Sequence, residues 1–192
     1  PLKKEGWGGL KLLILFEKTP TVKWGFLIEI QMEQHTIILN WEGPFTLDEV
    51  LENKQKSNGL YIITGKGKYE RDLDIQYCGI TEGSFYNRLK NHHKAPLVTR
   101  EQEIWLAQAE YPAEATRTFL EKAESIIVYF WQPNLNDRKK VYPPTPITLV
   151  NKWYKKDGSP RLRQHPIMKN LDDVLCWDGE MWRTGNLSVY DN

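Results

Sequence analysis

The sequence predicts an α+β fold whose centre is a small, three-stranded, mainly antiparallel sheet flanked by helices. Two short apolar runs, residues 60–64 and 75–80, have the composition of two strands paired in a hairpin. Residues 104–109 alternate between apolar and polar side chains, which is typical of a third strand. Helical patterns follow the second and the third run. The predicted order of the core is therefore strand, strand, helix, strand, helix.

Capping residues set the expected boundaries of the two core helices. Ser84 can accept a hydrogen bond in the first turn of a helix that we expect to run to about residue 94. Pro112 suits the first position of a second helix, because the missing N–H would have no partner there. We expect that helix to run to Trp131, since Pro133 cannot continue it.

The N-terminal region has the pattern of a separate β unit. Residues 11–16, 25–30 and 36–41 are rich in Leu, Ile and Phe or alternate them with polar residues, and each predicts a strand. After these strands, Thr46 with Glu49 three residues later predicts a capping box at the start of a short helix.

The C-terminal region predicts one hairpin after a long irregular stretch. Residues 174–177 and 180–182 flank Asp178-Gly179, a dipeptide that readily adopts the positive φ angles of a tight turn. The expected organisation has three parts: an N-terminal β-rich extension (1–56), a core (57–138), and a basic, Trp-rich extension with β and irregular structure packed on the core (139–192).

The charge is unevenly distributed, although the net charge is only +1. Residues 138–169 contain nine Lys or Arg residues against one acid, Asp157. A basic stretch of this kind suits a polyanionic partner. A solvated loop region explains it equally well.

The two cysteines, Cys78 and Cys176, are too far apart in sequence for a metal-binding pair and too few for a disulfide framework. The N-terminal apolar run, residues 10–16, is too short to span a membrane, and the sequence before it has no signal-peptide profile. We therefore expect a cytoplasmic protein in a reducing environment.

One carboxylate falls on an apolar helix face. Glu124 follows Leu120 by four residues and precedes Ile127 by three, so it shares their stripe at helical spacing. An unpartnered carboxylate there is costly, and a metal ion or a cationic neighbour would explain it. A slightly rotated helix that lets Glu124 reach solvent is the alternative.

Four further side chains form a candidate site. Tyr61 and Tyr77 lie on the two hairpin strands, each close to a glycine, and Arg88 and His92 lie four residues apart on one helix face. Each has an ordinary structural interpretation: a core tyrosine, a paired arginine, or a solvated histidine at a helix end. Their order along the chain distinguishes them from unrelated structural residues.

Basic residues interleaved with aromatic ones form a second candidate surface. The stretch 151–156 places Trp153 and Tyr154 among lysines, a composition that can contact phosphates and stack on bases. Packing aromatics beneath a basic but idle surface is the alternative. The candidate nucleic-acid contacts are Lys66, Lys68, Arg71, Lys90, Lys152, Lys155, Lys156, Arg161 and Arg163.

This pattern resembles the GIY-YIG nuclease family over residues 57–138. The name motif corresponds to Gly59-Leu60-Tyr61 and Tyr77-Cys78-Gly79, with Leu60 and Cys78 in place of isoleucines. The family's helix arginine and histidine, metal-binding glutamate and conserved asparagine match, in order, Arg88, His92, Glu124 and Asn136, with Asn134 as the competing asparagine. The loop 65–74 is longer than is usual in that family and could add a DNA-contacting hairpin.

The resemblance implies a DNA endonuclease with one divalent cation, Mg²⁺ or Mn²⁺, held by Glu124. It implies that Tyr61 orients or deprotonates the attacking water, with His92 as a relay, and that Tyr77 holds the water or the phosphate. Arg88 would neutralise the phosphate and Asn136 would fix the geometry.

Additions on both sides of a small core resemble compact restriction endonucleases of this family, which suggests double-stranded DNA as substrate and a homodimer on it. A DNA-repair or mobile-element nuclease, or a non-catalytic nucleic-acid-binding module, are the alternatives.

Overall fold

The computed structural model describes residues 35–161 and 171–187 in full, and strands Leu12–Ile14 and Ile28–Ile30 by their backbone. Nine strands and three α-helices lie in these residues. The strands are β1 (Leu12–Ile14), β2 (Ile28–Ile30), β3 (His35–Phe45), β4 (Ser57–Lys66), β5 (Asp74–Ser84), β6 (Arg100–Tyr111), β7 (Ile147–Tyr154), β8 (Val174–Trp177) and β9 (Trp182–Gly185). The helices are α1 (Leu47–Glu52), α2 (Phe85–Lys90) and α3 (Arg117–Trp131).

The predicted small three-stranded sheet is wrong. The structure has one seven-stranded mixed sheet in the order β5-β4-β6-β3-β7-β8-β9, and β5, β4 and β6 form only one end of it. β3 lies between β6, to which it is antiparallel, and β7, to which it is parallel. Strands from all three regions of the sequence therefore share one sheet, because both backbone edges of β3 are paired, one with β6 and the other with β7.

The N-terminal strand predictions are confirmed as far as the described residues reach. β1 and β2 pair antiparallel in a sheet of their own, and lie within the predicted runs 11–16 and 25–30. The third prediction, 36–41, falls within β3. The remaining residues of the first two runs lie outside the described part of the chain.

The two predicted helix caps are confirmed, but two of the predicted helix boundaries are wrong. The capping box of Thr46 and Glu49 is confirmed, since each side chain accepts a backbone N–H of the other residue. Ser84 Oγ accepts from the Asn87 N–H at 3.2 Å, as predicted, yet α2 ends at Lys90 and a 3₁₀ helix, Ala95–Leu97, follows.

The predicted start of α3 at Pro112 is wrong. β6 continues to Tyr111, so Pro112 ends a strand instead of opening a helix, and α3 begins at Arg117 after Thr116. Its predicted end at Trp131 is confirmed. Gln132 follows in the left-handed region with φ 50°, which terminates the helix.

Helices cover both faces of the sheet. One hydrophobic cluster joins α3 to alternate side chains of the strands, including Leu60 and Ile62 of β4. The second cluster joins α1 and α2 to the opposite set, including Tyr61 and Ile63. β4 is thus buried on both faces, which explains its continuous apolar sequence.

The C-terminal hairpin is confirmed with a longer turn. Trp177 pairs with Trp182, so residues 178–181 form the turn and the predicted strand positions 180 and 181 belong to it. The Asp178 carboxylate accepts the N–H groups of Glu180 and Met181 at 2.9 and 2.8 Å. Within the part of the chain that the structure describes, no helix is long and apolar enough to cross a membrane.

Candidate active site

Tyr61 lies at the centre of the candidate site, on β4 and facing α2. Its register partner on β5 is Gly79. A Cβ on Gly79 would lie 2.6 Å from the Tyr61 hydroxyl oxygen and 2.8 Å from Cε1 of Tyr77. Only glycine at position 79 therefore leaves room for the Tyr61 ring to lie over β5 beside the ring of Tyr77. Gly59 has a different reason, since a Cβ there would lie 1.9 Å from the carbonyl oxygen of Ala107 on β6.

Two side chains of the segment after β5 converge on the Tyr61 oxygen. The Arg88 Nε–H donates to it at 3.0 Å, and His92 Nε2 lies 3.0 Å from it. The backbone N–H of Ala95 donates to His92 Nδ1 at 3.1 Å, so Nδ1 carries no hydrogen and Nε2 does. His92 therefore donates to the Tyr61 oxygen, which accepts from both neighbours.

The protonation of His92 follows from its surroundings. Burial, then the positive charge of Arg88, lowers the pKa of His92 to about 4. The imidazole is neutral at pH 7 and both of its nitrogens are engaged. The hydrogen-bond directions favour a positioning role for His92, since neither nitrogen has a free lone pair to take the proton of Tyr61.

Tyr77 is the more accessible of the two tyrosines. Tyr61 has no exposed surface, whereas Tyr77 is half-buried. The Tyr61 and Tyr77 rings stack with their centroids 5.9 Å apart. The rings of Tyr77 and His92 pack edge to face, with their centroids 4.8 Å apart. Burial raises the pKa of both hydroxyls above the ordinary value, while Arg88 partly offsets this in each. Of the two tyrosines, Tyr77 is therefore the one that a ligand can reach.

Asn136 closes the free edge of the sheet beside the site. β5 is an edge strand, and the segment after α3 runs along it. Asn136 accepts from the Cys78 N–H at 2.9 Å and donates to the Cys78 carbonyl at 2.8 Å, as a neighbouring strand would. The Leu135 N–H donates to the Gln76 carbonyl at 2.7 Å. An amide suits this position because it supplies one donor and one acceptor together.

Asn134 has a different set of contacts from Asn136. It donates to the Glu70 carboxylate at 3.1 Å, which also accepts from the Gly67 N–H and from the Gln76 amide. Glu70 thereby fixes the loop between β4 and β5 against the site. Nothing in the sequence pattern singled out Glu70, because its partners lie on three separate segments.

Glu124 lies on α3, which packs on the sheet face opposite that of Tyr61 and Tyr77, and its carboxylate is already paired. Burial raises the pKa of Tyr77 and of Cys78, and the Glu124 carboxylate raises both further. Lys139 Nζ donates to Glu124 Oε2 and also to the Glu121 carbonyl at 3.3 Å. The Glu124 side chain is 15% exposed. A cationic neighbour is one of the two partners that the sequence predicted for it.

The donor set is compatible with a hard divalent cation. Within residues 35–161 and 171–187 no group of three His, Cys, Asp or Glu side chains could hold a metal ion. Mg²⁺ is often held by one or two carboxylates while keeping several waters, so the lone carboxylate of Glu124 fits it. The Lys139 ammonium already places a positive charge next to that carboxylate, so the surrounding structure can accommodate one there.

The predicted nucleic-acid contacts divide into exposed and paired side chains. Lys68, Arg71, Lys90 and Lys155 are exposed. Lys66, Lys152 and Lys156 form ion pairs with Glu101, Glu110 and Glu49, respectively. Such surface pairs contribute about 0–1 kcal/mol each and open readily. Arg163 lies outside the described residues.

Arg161 and the β7 residues are set apart from Tyr61. Arg161 donates to the Gly43 carbonyl at 2.6 Å and lies over the Trp105 ring, so it packs against β3 and β6. β7 is three strands from β4, a separation of about 14 Å at normal strand spacing. Trp153 points into the core, where it stacks on Trp41.

The arrangement combines the exposed Arg88 and the partly exposed Tyr77 on one face of the sheet with the Glu124 carboxylate on the helix that covers the other face. These are groups that can bind a phosphate and orient a water against it. Comparison with protein-family models, curated proteins and solved structures found no match for this chain.

Proposed function

We propose that the protein is a metal-dependent endonuclease of the GIY-YIG type that hydrolyses phosphodiester bonds of double-stranded DNA. One observation carries the proposal: Arg88 and His92 converge on the oxygen of the buried Tyr61, beside the accessible hydroxyl of Tyr77. A structural core needs no charged side chain on a buried phenol. A phosphate site does, because the guanidinium must be held with its face open to the ligand.

Each side chain has a role that follows from its position. Arg88 binds a non-bridging phosphate oxygen and neutralises its charge. Tyr77 donates its hydroxyl hydrogen to the phosphate or holds the attacking water. Tyr61 and His92 hold the side chains of Arg88 and Tyr77 in position. Asn136 fixes the backbone of β5 at Cys78 through two hydrogen bonds.

Glu124 would hold the cation that the GIY-YIG resemblance implies. A bound Mg²⁺ or Mn²⁺ supplies Lewis-acid stabilisation of the phosphate and lowers the pKa of a bound water. The charge of the carboxylate raises the pKa of Tyr77, which supports placing Glu124 in the same site.

The substrate side of the proposal rests on the surface around the site. Lys68, Arg71 and Lys90 are exposed and lie on the loop and helix that adjoin Tyr77. The proposed role is a restriction-type enzyme that acts as a homodimer, since one site of this kind cuts one strand. A cytoplasmic location belongs to the same proposal and is supported by Cys78 and Cys176, which form no disulfide in the described part of the chain.

A non-catalytic nucleic-acid-binding module is a second candidate, and the ion pair of Glu124 with Lys139 favours it. A carboxylate that is permanently neutralised by lysine would leave the phosphate-binding groups without the cation. The two candidates differ in whether Glu124 is needed for cleavage.

The test incubates plasmid and linear duplex with the protein, with Mg²⁺ and then with chelator. We expect Mg²⁺-dependent cleavage that Glu124→Ala abolishes, while binding in a gel shift persists. Glu114→Ala is the matched control, because Glu114 is an exposed acid on the segment before α3. Discrete fragments indicate a restriction-type enzyme, and cuts at branches or distortions indicate a repair enzyme. Cleavage that survives Glu124→Ala, or a gel shift without cleavage by the wild-type protein, contradicts the proposal.

A further inference from the structure

Lys139 holds the position against Glu124 that a divalent cation would need. Its Nζ donates to Glu124 Oε2 and to the Glu121 carbonyl one turn earlier on α3. The two side chains are partly buried, at 32% exposure for Lys139 and 15% for Glu124. The ammonium therefore contacts one oxygen of a carboxylate that has little exposed surface.

The backbone of Lys139 is arranged for this contact. Its φ is 66°, in the left-handed region that side chains other than glycine rarely adopt. Residues in this conformation persist where surrounding contacts determine them, and they cluster at functional sites. The contacts of Lys139 in question are its two bonds to α3.

We propose that Lys139 is a resident counter-ion of Glu124 and that a divalent cation binds there only by displacing it. The proposal rests on the proposed function, since it describes how the cation site of that function is filled. A divalent cation on the Glu124 carboxylate and the Lys139 ammonium at the same carboxylate repel each other at close range. Cation binding and the ion pair therefore compete for Glu124.

The exchange makes the site dependent on the concentration of divalent cation. With Lys139 in place Glu124 is satisfied, and the phosphate-binding groups stand without the cation. At sufficient cation concentration the ammonium is released from Glu124. Lys139 thus acts on the site through Glu124, as a positioning and gating residue.

The test measures Mn²⁺ binding to the full chain by the loss of the free Mn²⁺ signal in electron paramagnetic resonance. We expect Lys139→Met to lower the Kd for Mn²⁺ about tenfold, which corresponds to about 1.4 kcal/mol of lost competition. Lys140→Met is the matched control, because it removes the same charge from the neighbouring position, and it should change the Kd by less than about twofold. Lys139→Arg keeps a cation at the position and should bind Mn²⁺ as the wild type does.

Each result decides something different. Equal Kd values for Lys139→Met and Lys140→Met overturn the exchange, while Glu124-dependent Mn²⁺ binding and cleavage would leave the proposed function standing. The expected Kd ratio without DNA cleavage supports the exchange and defeats the nuclease proposal. If Glu124→Gln does not change Mn²⁺ binding in the wild-type or Lys139→Met background, Glu124 is no cation ligand and both fail. Should Lys139→Met not fold, Lys139→Gln takes its place with the same tenfold expectation, and a Kd for Lys139→Gln equal to that for Lys140→Met overturns the exchange.

Discussion

Gly79→Ala should destabilise the protein through a clash at the centre of the candidate site. The added Cβ would lie 2.6 Å from the Tyr61 hydroxyl oxygen, 2.7 Å from Tyr61 Cζ and 2.8 Å from Tyr77 Cε1. All three are below the 3.0 Å that Cβ contacts respect. Tyr61 has no exposed surface into which it could move. Overpacking of this kind costs about 1–3 kcal/mol, which the usual small gain from replacing a glycine does not offset.

Urea unfolding at equilibrium measures this cost, with Gly83→Ala as the control. Gly83 lies on the same strand, and a Cβ there meets only Thr81 Oγ1, at 3.9 Å. We expect Gly83→Ala to be within about 0.5 kcal/mol of the wild type. Thermal unfolding should show Gly79→Ala lower by about 2–4 °C for each kcal/mol in a chain of this size. Equal stability of the two variants would refute the crossing of Tyr61 over Gly79.

Two other predictions concern the edge of the sheet and the acid response. Asn136→Asp removes the donor to the Cys78 carbonyl and should lower the free energy of unfolding in urea by about 1–3 kcal/mol. The backbone amides of β5 should also exchange their hydrogens faster. Unchanged exchange at β5 would count against the contact between Asn136 and this edge strand. Burial, then Arg88, lowers the folded-state pKa of His92 from 6.5 to about 4, so protonation favours the unfolded chain. Stability should be retained above about pH 6.5 and lost between about pH 6.5 and pH 4, by at most about 3 kcal/mol. His92→Gln should flatten this loss and His93→Gln should not, and an equal slope in both would contradict the assignment.

The fold was predictable where the signal is local. The capping box of Thr46 and the cap of Ser84 involve residues only three apart, and both were predicted correctly from the sequence. Pro112 gave a local signal that was misinterpreted, because a proline can end a strand as readily as it opens a helix.

β7 was missed although its alternation is present in the sequence. Ile147, Leu149, Asn151 and Trp153 all point inward, but the polar Asn151 breaks the apolar pattern. Its partner is the Trp41 indole N–H, at 2.8 Å and far away in the chain. A buried asparagine satisfied by a distant residue has no local signature, and neither does the parallel pairing of β3 with β7. The size of the sheet could therefore not be predicted.

The candidate site was predictable in its members and not in their arrangement. The predicted shared helix face of Arg88 and His92 is wrong, because α2 ends at Lys90 and His92 lies beyond it, but the two side chains do share a partner, Tyr61. The partner of Glu124 could not be identified, since Lys139 reaches it through a backbone conformation that no sequence rule assigns to lysine.

Removing the two tyrosine hydroxyls one at a time should affect stability and cleavage differently. Tyr61→Phe leaves the Arg88 Nε–H and the His92 Nε2–H without their common acceptor, and the histidine is buried. We expect a loss of about 1–3 kcal/mol in urea unfolding, with cleavage reduced because Arg88 is no longer held.

Tyr77→Phe removes an accessible hydroxyl and leaves both bonds to Tyr61 intact. Its stability should stay within about 1 kcal/mol of the wild type, whereas cleavage should fall by about 100-fold or more at unchanged DNA affinity, as for a group that acts on the reacting atoms. The resemblance gives water activation to Tyr61, which predicts the opposite pattern. Full activity in Tyr77→Phe, with Tyr61→Phe inactive but as stable as the wild type, would return that role to Tyr61. It would then also require the buried ring to become exposed when DNA binds, because nothing else could bring a water to its oxygen.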